Sequence, residues 1–139
     1  MFEKIVLAVD GSQQSQKAVP LAIDIAKKSA ADVVVVHVRE HMVDLGGVWE
    51  HESESRARAI VDGACKELEG AGVTANAEIR RSLDGSGRIA QEIIDTADEE
   101  EADLIVMGSR GVSNLRSLLL GSVAHKVLQL SSQPVLIAR

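Results

Sequence analysis

At 139 residues the chain fits one domain, and 45% hydrophobic against 26% charged residues is the balance of an ordinary globular protein. One Phe, one Trp and no Tyr leave almost no aromatic faces for stacking bases, and a net charge of −6 opposes a phosphate backbone, so a nucleic-acid partner is excluded. Cys65 stands alone, no apolar run approaches the ~20 residues of a membrane span, and "MFEKIVLAVDGS" lacks the layout of a signal peptide; a soluble cytoplasmic protein is predicted.

The first apolar run, "KIVLAV" (4–9), reads as a buried strand. A helical pattern follows over 14–30, with Val19, Ala22, Ile23 and Ala26 at helical spacing; Pro20 is expected to bend its early part or to set its true start. "DVVVVHV" (32–38) is a second buried strand. "HMVDLGGVWE" (41–50) is the longest stretch without a period and is expected to be an irregular, mobile loop. Residues 51–69 place Ile60, Ala64, Cys65 and Leu68 on one helical face, and Gly63 weakens that helix by about 1 kcal/mol relative to Ala. "VTANAEI" (73–79) alternates and suits a half-exposed edge strand. Helix 87–101 repeats Ile89, Ile93, Ile94 and Ala97. "DLIVM" (103–107) is a buried strand, helix 122–131 carries Val123, Val127 and Leu128, and "PVLIA" (134–138) closes the chain.

Strands alternating with helices specify an α/β domain over 1–139, and continuous rather than alternating apolar strands specify a parallel sheet covered on both faces. With 73–79 at one edge, right-handed crossovers give five parallel strands in the order 3-2-1-4-5. The first and fourth strands are then neighbours whose chains leave in opposite directions, and a crevice opens at their C-terminal ends. "DGSQQS" and "GSRG" border it.

"MGSRGVSNLRSLLLGS" (107–122) therefore lies where this fold binds ligands. Glycines admit close approach of an anion to backbone N–H groups, and a helix start adds free donors; alternatively the glycines only shape a loop and Ser122 only caps the last helix. Rival motifs are weaker. No Gly-Lys dipeptide exists, so there is no Walker loop. "GSGRIA" (85–90) matches a dinucleotide fingerprint but follows the edge strand, and the next strand ends without the required acid. A metal site from His37, His41 and His51 would need three local structures to converge. "DEEEAD" (98–103) reads as a solvated helix end. Cys65 reads as core rather than nucleophile, and Ser12 does not sit in a hydrolase elbow.

Gly108, Gly111, Gly121 and Ser122 fit the spacing G-x2-G-x9-G-[ST], and with them the chain resembles the universal stress protein family along nearly its whole length. "IVLAVDGSQQSQKAV" resembles that family's first strand and turn, and "GSVAHKVLQLSSQPVLIAR" its last helix and strand. Gly87 departs from the Pro many members carry. The resemblance implies an adenine nucleotide alpha hydrolase-like fold that binds ATP with Mg²⁺. It implies a binding set in which Ala8 and Val9 end the first strand and Asp10 faces ribose and phosphate. The backbone at Val38 meets adenine, and Met107 and Gly108 line the adenosine. Gly111, Gly121, Ser122 and Val123 wrap the phosphates through their N–H groups. Arg110 and Arg116 could reach phosphate or face solvent. It also implies a homodimer through antiparallel contact of the last strands, centred on Val135, Leu136 and Ile137, a sheet edge otherwise uncovered.

The first expectation is a nucleotide-binding regulatory module, and the second an ATP-cleaving enzyme of the wider adenine nucleotide alpha hydrolase class. The first loop lacks the SGG-x-DS of pyrophosphate-gripping relatives, so at most slow ATP hydrolysis is expected. A binder of cyclic AMP or a nucleotide-free scaffold are the other readings.

Overall fold

The computed structural model describes residues 1–50, 52–83, 86–109 and 120–139. Its elements are β1 (Lys4–Ala8), α1 (Gln13–Ser29), β2 (Asp32–Asp44), β3 (Gly47–Glu50), α2 (Glu54–Gly70), β4 (Ala75–Leu83), α3 (Ser86–Glu99), β5 (Leu104–Gly108), α4 (Ser122–Leu130) and β6 (Val135–Ala138). The five parallel strands lie in the order β4-β2-β1-β5-β6, which is the expected 3-2-1-4-5.

Period-two alternation divides the strands between two cores. Ile5, Leu7, Val33, Val35, Leu104 and Val106 face α1 and α2. Val6, Val34, Val36, Ile105 and Met107 face α3 and α4. Neither face of the central strands meets water, which is why their sequences are continuously apolar. The helix after β1 packs on one face and the helix after β5 on the other, so β1 and β5 form the switch point.

Three local expectations change. Residues 41–50 are not an irregular loop. β2 runs on to Asp44, turns at Leu45 and Gly46, and returns as antiparallel β3, with His41 opposite Glu50 and Val43 opposite Val48. His41 pairs on its other side with Leu83 of β4, so β3 continues the sheet above the end of β1. The edge strand begins two residues later than expected and extends to Leu83 because β2 offers partners that far. Of the two expectations for Pro20, the one that it sets the helix start is overturned: Ser12 caps α1, its hydroxyl accepting from Ser15 N–H at 3.1 Å, and Pro20 lies in the interior.

Candidate functional site

The β1–α1 turn builds one wall of the crevice. Asp10 Oδ1 accepts the N–H of Ser12 at 2.9 Å, and Ser15 Oγ accepts the N–H of Asp10 at 3.3 Å. Asp10 is thus a turn-former, and its second carboxylate oxygen has no partner among the described residues. Gly11 has φ +82°, the left-handed region that favours glycine, and stands against α2, where a Cβ would press on the tip of Ile60 at 3.1 Å.

The opposite wall starts at β5. Gly108 is forced by contact: a Cβ there would lie 2.7 Å from the carbonyl carbon and oxygen of Gln14 in α1. Its neighbour Ser109 donates its N–H to Ala138 at 2.8 Å and accepts the N–H of Gly121 at 2.7 Å. This last bond sets the start of α4 beside the end of β5.

It also corrects two expectations. The N–H of Gly121 is committed to Ser109 and does not point to a ligand. Ser122 does not cap α4; Gly121 is the N-cap, without a side-chain capping bond, and Ser122 is the first helical residue, its side chain exposed. The first intrahelical donor is His125, which bonds Gly121 at 2.9 Å. The N–H groups of Ser122, Val123 and Ala124 therefore have no partner among the described residues. With the helix dipole behind them they form a cradle for an anion.

The apolar floor comes from the α3/α4 side of the sheet. Ala8, Val38 and Met107 belong to one buried cluster, with Val123 packed against it. Strand alternation turns Val9 to the other face. Arg110, Gly111 and Arg116 lie outside the described residues.

His37 has a part that its metal-site reading missed. It is buried on the α1/α2 side of β2, its Nδ1 2.7 Å from the carbonyl oxygen of Val9 and its Nε2 hydrogen-bonded to Glu52. Its one sequence signal is a histidine inside an unbroken run of valines. Among the described residues no group of three His, Cys, Asp or Glu is placed to hold a metal ion, and no helix is long and apolar enough to cross a membrane. Burial, followed by the carboxylates of Glu69 and Asp62, pushes the Cys65 thiol up, which disfavours the thiolate a nucleophile needs.

An open, mostly parallel sheet with helices on both faces and a switch point between β1 and β5 defines a doubly wound α/β domain. The universal stress protein family model matches residues 1–139, and the chain belongs to that family. The universal stress protein YxiE of Bacillus subtilis is 38% identical, with the whole of both chains aligned. The solved structure of MJ0577 matches with a TM-score of 0.80 at 27% identity, covering 99% of this chain and 96% of that one; MJ0577 is a universal stress protein of Methanocaldococcus jannaschii. A universal stress protein solved in complex with cAMP matches at 30% identity with a TM-score of 0.71, over 99% of this chain and 97% of its own.

Proposed function

We propose that the chain is a regulatory stress-response protein of the cytoplasm that binds ATP with Mg²⁺ between β1 and β5 and acts through dimerisation or partner contacts. The observation that carries this reading is the set of three N–H groups at Ser122, Val123 and Ala124 that have no partner among the described residues, beside the apolar floor of Ala8, Val38 and Met107. One suits phosphate, the other an adenosine. Asp10 is the carboxylate that would stand by ribose or by a phosphate-bound Mg²⁺, an ion that takes few protein ligands when phosphates supply the rest. Gly108 serves the site by letting α1 approach β5, and Gly121 by orienting α4, rather than by donating to phosphate. Gly111 and Arg110 complete the phosphate side in this reading.

The dimer contact is the free edge of β6. Val135, Leu136 and Ile137 are half-buried in the single chain, and among the described residues their strand pairs with β5 alone. A charged residue at Leu136 is expected to give a monomer in sedimentation; an unchanged profile overturns the contact.

A second reading, an adenine mononucleotide or cyclic AMP as ligand, is favoured by the similar protein solved with cAMP. One experiment separates the two. Freshly purified protein is denatured and the released nucleotide identified by chromatography, with titration calorimetry of ATP, AMP and cyclic AMP alongside. ATP released and bound most tightly is expected. Preference for cyclic AMP overturns the first reading in favour of the second, and no binding of any of the three overturns both.

A further inference from the structure

The hairpin above β1 is closed at its base by side chains the binding set does not include. β2 parts from β1 after Val36 while staying paired with β4 to His41, runs out to Asp44 and returns as β3, and Glu52 comes back against His37. There Glu52 is held twice. Its carboxylate bonds Nε2 of His37, and its backbone carbonyl accepts from Nη2 of Arg39 at 3.1 Å. Arg56, one turn into α2, stands 3.9 Å from the same carboxylate.

The other ring nitrogen of His37 ties this closure to the crevice. A carbonyl only accepts, so Nδ1 carries a proton and donates to Val9 O at 2.7 Å. With Nε2 bonded to the Glu52 carboxylate, both ring nitrogens are engaged and the ring is locked in orientation. The Val9 carbonyl belongs to the peptide that leads into Asp10. The N–H of Val9 is bonded to Val36 at 3.0 Å, so both polar groups of Val9 are fixed by β2. A second path reaches the same turn, because Gly11 packs on Ile60 of α2.

We infer that His37 and Glu52 are positioning residues for the ligand seat: they hold the Val9–Asp10 peptide in place and link occupancy of the crevice to the order of the β2–β3 hairpin and the first turn of α2. The inference rests on the nucleotide-binding reading above. Nucleotide contacts at Asp10 would tighten the Val9 peptide, and through the imidazole tighten Glu52, so that protection spreads to residues that do not touch the ligand.

The test measures AMP and ATP affinity together with amide hydrogen exchange, with and without nucleotide, in the wild type, Glu52→Ala, Glu52→Gln and His37→Asn. Asn can still donate to Val9 but cannot reach Glu52, and Gln keeps a hydrogen bond without the charge. Glu52→Ala and His37→Asn are expected to bind roughly fivefold more weakly, the worth of one hydrogen bond, while nucleotide no longer protects amides 53–57. Glu52→Gln is expected to recover most of both properties. A merely structural pair would lower the melting temperature and leave affinity and the protection pattern of the folded protein unchanged; that result overturns the inference. Should Glu52→Ala not fold, His37→Asn carries the comparison. Absence of nucleotide binding by the wild type overturns the site reading itself, a different outcome from wild-type binding that the variants share.

Discussion

Gly108 at the end of β5 and Gln14 at the start of α1 are in backbone contact, so close that a Cβ on Gly108 would lie 2.7 Å from the Gln14 carbonyl. Backbone on the Gln14 side cannot rotate away as a flexible side chain would. Gly108→Ala is therefore expected to push α1 off β5 and to destabilise the fold by about 2–3 kcal/mol, the range of overpacked sites. The melting temperature should fall by roughly 5–10 °C. A melting temperature within a degree of wild type contradicts this contact.

Gly121 offers the opposite trade. Its φ of −63° and ψ of 159° suit any residue, and it leaves α4 without a side-chain cap. Gly121→Asp should supply that cap and complement the dipole, raising stability by a few tenths of a kcal/mol up to about 1 kcal/mol. The same carboxylate would occupy the cradle of Ser122, Val123 and Ala124 and repel phosphate. Thermal melts and ATP titrations on one sample check this: higher stability with at least tenfold weaker binding is expected. Unimpaired binding would show that phosphate does not sit at the start of α4.

Gly63 lies inside α2, and beyond its own helix backbone and chain neighbours no described residue comes within 4 Å of where its Cβ would stand. Gly63→Ala should then stabilise the protein by about 0.5–1 kcal/mol through the lower entropy of the unfolded chain. Chemical denaturation should show a higher midpoint at unchanged slope. A lower midpoint would mean that the surroundings of Gly63 are more crowded than the structure shows.

Arg80 clasps β4 to α3, reaching Glu92 at 2.7 Å, Glu99 at 2.8 Å and Glu78 at 3.0 Å. Its hydrogen bonds, the one to Glu99 foremost, hold its guanidinium charged. In return Arg80 holds the Glu99 carboxyl below its ordinary range. A depressed carboxylate contributes stability that is present above its unfolded pKa and lost as pH falls through its folded value. Arg80→Met should therefore melt below wild type at pH 7, and the gap should narrow as the pH is lowered past the carboxylate range. A gap that stays constant down to pH 3 would assign the role of Arg80 to packing of its stem instead.

The three central parallel strands were legible because a strand covered on both faces is almost continuously apolar, as in "KIVLAV", "DVVVVHV" and "DLIVM", and the edge strand at 73–79 because its half-exposed residues alternate. The hairpin was not. Residues 39–50 mix charge with apolar side chains and show no clean alternation, so the Gly46-Gly47 pair reads as loop punctuation rather than as the turn of a hairpin; they form strands because β4 and β3 supply partners as far as His41 and Asp44. Pairing with a distant segment is invisible to a local pattern.

The strand order located the crevice and put the spaced glycines beside it, but spacing alone could not divide the labour among them. Gly108 looks like a ligand-facing glycine and is required by helix–strand contact. Gly121 looks like a phosphate donor and gives its N–H to Ser109. Ser122 looks like a cap and stands one residue inside the helix. His37, which the sequence offers only as a stray polar residue, joins Val9 to Glu52 across 28 and 15 positions of chain. The sequence by itself determined the α/β class, the strand order and the place of the crevice, since these follow from periodicity and the handedness of crossovers. Which backbone N–H groups stay open there, and which side chains hold its wall, only the tertiary structure decided, because a donor is free or committed according to what folding brings beside it.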